Sequence, residues 1–299
     1  MVHGPQLVVH ADFDGPLSLM EQSAWVDPRF AAWKTGPMVS PVLRRVIHDL
    51  ESYYQRPAEQ IADAYWQSRH HEENGTPPAA SGVEAYYRTV DRYVYESSYF
   101  EAFAEYQRYF ETVRMACRRF RRRRILDFGG GAGGMTLALS LGGSACDYAD
   151  IPGPTLDFAK WRLAQYGCSS QVLDATGSLP AATYEAVVTL DVFEHLIDLK
   201  QTLKLLVRSL VPGGWLISKS TFSPDDPLHL PQNMIYADIR IFNRLLEEFG
   251  FLYLGRLRPD AISEQWFNWF GGHRMMQVWI DRKLKFGGRF VVHQLKTPS

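Results

Sequence analysis

The sequence predicts an α/β protein in which a mostly parallel sheet follows a mainly helical N-terminal region. Three observations carry that expectation. Beyond Arg124, short apolar runs alternate with amphipathic helical stretches, the rhythm of stacked βαβ units. The first of those runs leads into a glycine-rich loop, Gly129-Gly130-Gly131-Ala132-Gly133-Gly134, that opens onto a helix near Met135. Ahead of residue 120, apolar residues recur at helical spacing.

Taken in order, residues 1–40 mix Pro, Gly and aromatics, with Val8-Val9 as the single hint of a strand, and receive no assignment. From Pro41, a residue suited to a first helical turn, Val42, Leu43, Val46, Ile47 and Leu50 form one stripe. A second helix is expected from Pro57 to about His71, after which the turn-forming run Glu73 to Gly82 interrupts. Two more follow, Val83 to about Glu96 and Ser98 to Arg118, the latter with Phe103, Tyr106, Phe110, Val113 and Cys117 at helical spacing.

The expected strands are Arg124–Phe128, Ala145–Ala149, Gln171–Leu173, Ala186–Leu190 and Trp215–Lys219. Intervening helices present stripes such as Leu156, Ala159, Leu163, Tyr166 and Leu199, Leu203, Leu206, Leu210 to the sheet. A helix from Tyr236 to Phe249 stops at Gly250, and Phe251–Gly255 resumes as a strand. The final strand is either Arg274–Asp281 or Arg289–Gln294.

With 299 residues, 33 acids against 32 bases and a net charge of -1, the chain lacks the cationic surplus needed to cover phosphates, so nucleic acid is not an expected partner. Three cysteines, Cys117, Cys146 and Cys168, show no CxxC spacing and read as reduced thiols in the cytoplasm. No apolar run approaches the roughly 18–20 residues of a membrane span, and Met1–Trp25 lacks the basic head and apolar stretch of a secretion signal.

The glycine loop lets the backbone lie against a ligand at the carboxyl edge of the sheet. Its spacing fits both Gly-x-Gly-x-x-Gly for a dinucleotide and Asp-x-Gly-x-Gly-x-Gly for S-adenosylmethionine, so the glycines alone do not decide. Asp127 favours the second, because a carboxylate repels a pyrophosphate and supports an ammonium. Asp150, ending the second strand, suits the two ribose hydroxyls of either cofactor. Asp174-Ala175 is expected to offer a carboxylate to an adenine amino group and a backbone N–H to a ring nitrogen, with Ile151 on the face of the base.

In this succession the residues resemble the motifs of class I S-adenosylmethionine-dependent methyltransferases. Asp191-Val192-Phe193-Glu194-His195-Leu196 after the fourth strand and Leu210-Val211-Pro212-Gly213-Gly214 before the fifth are similar to further motifs of that family, so the likeness spans residues 120–258. The resemblance implies a Rossmann-like sheet of seven strands with the last one antiparallel, S-adenosylmethionine as cofactor, and cofactor contacts at Asp127, Gly129, Gly131, Gly133, Asp150, Asp174, Ala175 and Asp191, beside Ile151. It leaves two regions, residues 1–120 as a helical substrate-capping part and residues 121–299 as the cofactor-binding domain.

For chemistry, His195 beyond the fourth strand and His229 in the long segment after the fifth are the candidate bases, against structural roles as a motif residue and a loop-ordering contact. Tyr86, Tyr87, Tyr93, Tyr95, Tyr99, Tyr106 and Tyr109 either line an acceptor pocket or pack the N-terminal helices, and packing accounts for most of them. Arg118, Arg119 and Arg121–Arg124 read as a solvated helix end, and His70-His71-Glu72-Glu73 as a solvated face, so no metal is expected.

The function expected is methyl transfer to the oxygen, nitrogen or carbon of a small-molecule acceptor, a secondary metabolite or sugar, by a cytoplasmic enzyme for which a homodimer stays open. Two alternatives remain at this point. One is an NAD(P)-dependent oxidoreductase; the other is a non-methylating partner or cyclase that binds the same cofactor.

Overall fold

The computed structural model describes residues 41–64, 82–101, 104–224, 228–259, 278–281 and 290–297. Val8-Val9 and His70–Glu73 lie outside them. Helix α1 (Pro41–Tyr54) buries the expected stripe of Val42, Leu43, Val46, Ile47 and Leu50, and residues 58–64 are also helical. The single helix expected over 83–96 is two: α2 (Val83–Thr89) and α3 (Arg92–Phe100). Val90, a β-branched residue with extended backbone (φ -97, ψ 136), ends α2. The break turns Tyr87 and Tyr93 toward each other, ring centroids 4.6 Å apart. Helix α4 (Ala104–Arg119) then leads to the sheet.

Eight strands form that sheet: β1 (Arg124–Phe128), β2 (Ala145–Asp150), β3 (Val172–Asp174), β4 (Tyr184–Leu190), β5 (Leu210–Lys219), β6 (Phe251–Pro259), β7 (Val278–Asp281) and β8 (Val291–Leu295). Their order is β3-β2-β1-β4-β5-β8-β6-β7. The first five are mutually parallel, whereas β8 runs antiparallel between β5 and β6. The two alternatives for the final strand are therefore both strands, β8 inside the sheet and β7 antiparallel at its edge beside β6. This is the Rossmann-like, mostly parallel α/β fold expected, with one strand added at the edge.

The turn Val211-Pro212-Gly213-Gly214 lies within β5 as an irregularity. Tyr184 pairs with Leu210 and Ala186 with Trp215, so one strand carries extra residues there. Helices α5 (Gly134–Leu141), α6 (Pro154–Gln165), α7 (Leu199–Ser209) and α8 (Ile239–Glu248) complete the layers. Because strand side chains alternate, Leu126 faces Leu203, Leu206, Phe242 and Leu246, while Ile125 faces Val113, Cys117, Met135 and Leu139 from α4 and α5. Within the arginine run, Arg122 lies 4.6 Å over the Trp215 ring, so that guanidinium packs on the protein.

Strand order reverses between β1 and β4, which opens a crevice at the carboxyl ends of both. The N-terminal helices are locked against it by Arg162 of α6, which is fully buried. Its guanidinium bonds Asp49 of α1 at 2.8 Å, Glu101 at the end of α3 at 2.6 Å and the Ala132 carbonyl at 3.0 Å. Tyr166 donates to the other oxygen of Asp49 at 2.9 Å. Removing the cation leaves two desolvated carboxylates facing each other. Arg162→Met is expected to cost about 3–5 kcal/mol of folding stability, read from urea unfolding; a loss under about 1 kcal/mol would show that these helices are held by apolar packing alone.

Candidate active site

A cavity of about 920 Å³ occupies the crevice, large enough for a nucleoside cofactor and a small acceptor together. Its floor is the glycine loop. Gly129 donates to the Ala149 carbonyl at 2.8 Å and adopts φ +72, where a side chain is strained and a Cβ would strike Val192. At Gly130 a Cβ would sit 2.7 Å from the Tyr148 ring and 2.8 Å from Oδ2 of Asp127. Only bare backbone fits between these groups, which leaves the loop surface open to a ligand.

Asp127 is 2 % exposed and accepts one side-chain hydrogen bond, 2.7 Å from the Thr136 hydroxyl. Burial pushes its carboxyl up to about 7, and the charges of Asp150 and Glu101 add to the rise. Asp150 accepts from Gly131 N–H at 2.8 Å, Ile151 N–H at 2.7 Å and the Tyr148 hydroxyl at 3.3 Å. Burial still lifts it to about 6. Glu101, 3 % exposed, lines the same wall, and its Oε2 has no hydrogen-bond partner among the described residues. A cationic ligand suits this arrangement, because Asp127 and Asp150 are desolvated and held only by amides and hydroxyls, whereas Glu101 is already paired with Arg162.

The cavity brings together Asp127, Gly129, Gly131, Asp150, Ile151, Ala175, Asp191, His195 and His229. Gly133 and Asp174 do not line it. Gly133 caps α5 in a left-handed conformation and packs toward Ala159, and Asp174 turns its carboxylate onto Thr176, 2.8 Å from the amide and 2.6 Å from the hydroxyl. The Ala175 N–H expected for a ring nitrogen instead donates to the Asp150 carbonyl at 2.9 Å. Parallel pairing explains this, since Asp150 and Asp174 stand side by side as the last residues of β2 and β3. Thr176 and Gly177 take the place in the wall, with α2 alongside through an Arg88–Thr176 bond of 3.2 Å.

Asp191 holds Lys219 Nζ at 2.7 and 2.8 Å, accepts from Thr221 at 2.9 Å and from Tyr106 at 3.2 Å, and adopts φ +52. A non-glycine residue in that region stores strain, here at the tip of β4. Lys219 also lies 5.3 Å from the Tyr109 ring centroid. Sequence reasoning missed Lys219 and Glu101. Lys219 could have been found as a charged residue ending an otherwise apolar strand, whereas nothing around Glu101 sets it apart. Of the tyrosines, Tyr87, Tyr93, Tyr106 and Tyr109 line the cavity, and burial drives the Tyr93 phenol well above its ordinary range.

At the far wall the turn Phe193–His195 meets the segment Leu228–Asn233. Asn233 donates to the carbonyls of Phe193, Glu194 and Leu196 at 3.1, 3.3 and 2.8 Å, and Leu230 N–H bonds the Glu194 carbonyl at 2.9 Å. This clamp sets the His195 and His229 rings 4.8 Å apart at 62°. Glu194 is fully buried and accepts from Thr221 N–H at 2.6 Å; burial, then the Asp191 charge, raise its carboxyl to about 7.

The fold and cavity define an α/β protein with a glycine-floored cavity at the switch point of its sheet. The sequence matches the methyltransferase domain family over residues 100–254, more than half of the chain. This chain therefore belongs to that family and is an S-adenosylmethionine-dependent methyltransferase. No curated protein matches it.

Solved structures similar to it include an S-adenosylmethionine-dependent methyltransferase from Clostridium acetobutylicum, at 14% identity over 64% of this chain and 92% of that one, TM-score 0.44. The magnesium protoporphyrin IX methyltransferase of Synechocystis, with S-adenosylmethionine bound, has 15% identity over 64% and 80%, TM-score 0.41. The YcgJ protein of Bacillus subtilis has 13% identity over 60% and 93%, TM-score 0.40. No helix among the described residues is long and apolar enough to cross a membrane.

The raised carboxyls tie stability to pH. Between about pH 4 and pH 7 the folded protein keeps protons on Asp127 and Asp150 that the unfolded chain has released, so these groups make the ligand-free protein less stable as pH rises through that window. Asp127→Asn is expected to flatten that fall. Urea unfolding at both ends of the window checks it, and a variant as steep as the parent would contradict it.

Proposed function

We propose that this methyltransferase acts on a hydroxyl group of a small molecule, an O-methylation of the kind used on secondary metabolites or sugars. The observation that carries the reading is the pairing of His195 and His229 across 4.8 Å in the same cavity as the glycine loop. An amine acceptor in its neutral form needs no such groups, whereas a hydroxyl must lose a proton.

When bound, S-adenosylmethionine supplies an activated methyl group on a sulfonium sulfur. What is left to the protein is to hold the acceptor about 3 Å away and in line, and to handle its proton. Asp127 and Glu101 hold the ammonium end of the cofactor, Gly129 and Gly131 give way to it, Asp150 takes the ribose hydroxyls with its remaining lone pairs, and Ile151 covers the base. Gly133 and Asp174 act indirectly, by capping α5 and ordering the Thr176 turn. Residues 1–120 cap residues 121–299, and Tyr87, Tyr93, Tyr106 and Tyr109 give the acceptor its lining. Support for the cap comes from the Arg162 bridge to Asp49 and Glu101. Free Cys117, Cys146 and Cys168 suit a cytoplasmic enzyme.

The test is incubation with S-adenosylmethionine and a panel of phenols, alcohols, sugars, amines and carbon acids, followed by mass spectrometry for S-adenosylhomocysteine and a product heavier by one methyl. Products methylated on oxygen are expected; methylation confined to nitrogen would overturn the choice of acceptor. Asp150→Ala should weaken S-adenosylmethionine binding by more than about 1 kcal/mol in calorimetry, since charged hydrogen bonds are lost. His195→Ala and His229→Ala should each lower kcat by about 100-fold or more while cofactor affinity changes little. Wild-type turnover in both would remove the pair from the reaction.

A further inference from the structure

Glu194, His195 and His229 each offer a ligand atom within 4.8 Å of the others. From this we propose that the three side chains bind a divalent transition-metal ion at the acceptor end of the cavity. The inference rests on the reading of that region as the acceptor site, and it makes the role of the two histidines specific: they hold the ion on which the acceptor's hydroxyl ionises.

Independent observations point the same way. Glu194 is fully buried, yet its Oε2 makes no well-formed hydrogen bond among the described residues, the Ser220 hydroxyl beside the carboxylate being likewise without one, and buried carboxylate oxygens are ordinarily paired or bound to metal. Nδ1 of His195 lies 3.2 Å from the Leu228 carbonyl and Nδ1 of His229 lies 2.6 Å from the Ser223 carbonyl. A carbonyl only accepts, so both Nδ1 atoms carry a proton, and the nitrogen that a metal would take from each imidazole is Nε2. Backbone carbonyls orient metal-binding imidazoles in this way.

Thr221 N–H at 2.6 Å fixes the other oxygen of Glu194, and Asn233 clamps the turn that carries two of the three ligands. Two imidazoles and one carboxylate suit Zn²⁺ or a neighbouring ion, and three protein ligands leave a position open toward the cavity. Bonds of about 2.0–2.1 Å set such donors roughly 3.3 Å apart, so the rings swing inward by an ångström or so when the ion enters. An acceptor hydroxyl in the open position loses its proton to solvent water, and the alkoxide or phenolate is then ready to take the methyl group.

The test is titration of the full-length, chelator-treated protein with Co²⁺, followed by visible absorption and calorimetry, with S-adenosylmethionine titrated in parallel. One Co²⁺ per chain with d–d bands of a four- or five-coordinate site is expected, displaced by Zn²⁺. His229→Ala should weaken Co²⁺ at least about tenfold, as should the shape-conserving Glu194→Gln, while both variants keep their affinity for S-adenosylmethionine. Absence of the bands in a protein that binds S-adenosylmethionine overturns the metal site alone, as does Co²⁺ binding undiminished in both variants. A protein that binds Co²⁺ at these residues but methylates only amines keeps the metal site and loses the hydroxyl reading.

Discussion

Desolvated negative charge is the constraint around which this cavity is organised. Glu101, Asp127, Asp150, Asp191 and Glu194 all line it, and Lys219 is the lysine or arginine among the described residues that does so. That lysine is committed to Asp191. Glu101 is paired with the buried Arg162, whereas Asp127, Asp150 and Glu194 are held by amides and hydroxyls, which stabilise charge without cancelling it, and these three take up protons far more readily than in water. A cavity with this bias favours positive ligands. The bias fits a cofactor that carries both an ammonium and a sulfonium, and it disfavours a pyrophosphate, which would have met the same carboxylates as a like charge.

The N-terminal helices belong to this electrostatic design as well as to the packing. Arg162 compensates Glu101 through Oε1, and a Cβ on Gly134 would collide with that same side of the carboxyl group, while Oε2 has no hydrogen-bond partner among the described residues. The same guanidinium reaches Asp49 on α1, so the helices that cover the cavity are tied to α6 beneath it by one buried cation. Gly153 adds a steric condition. A Cβ there would stand 2.9 Å from the Tyr87 carbonyl, so α2 reaches its position beside the β2 turn because that residue has no side chain.

The opposite wall depends on hydrogen bonds of a different kind. The single turn Phe193–His195 meets a segment that leads into a 3-10 helix, Pro231–Ala237, and the two are tied through the Asn233 side chain and the Leu230 N–H. Strain at Asp191, in the left-handed region, is tolerated where Lys219, Thr221 and Tyr106 all converge on its carboxylate. The wall that carries the two histidines is thus assembled from the ends of β4 and β5, and the wall that carries the glycine loop from the ends of β1 and β2.

Much of this was legible in the chain itself. Periodicity marked β1, β2, β4 and the stripes of α1, α6 and α7, because burial of one face imposes a repeat that needs no knowledge of the partner. The glycine loop and Asp127 were legible for a similar reason: a backbone that must approach a ligand has to shed its side chains locally. Other features were decided only in three dimensions. Both stretches proposed as the last strand have strand character, and only the pairing available between β5 and β6 determines that β8 enters the sheet while β7 stays at its rim. Asp174 and Gly133 fit the motif, yet register and helix capping direct them elsewhere. Glu101 and the meeting of Glu194 with His229 carry no local signal, and the end of an apolar strand marks Lys219 without naming its partner, because their surroundings come from segments 27 to 61 residues away in the chain. Local sequence specifies which face is buried and where the backbone turns; the partner of a buried charge is chosen by tertiary contact.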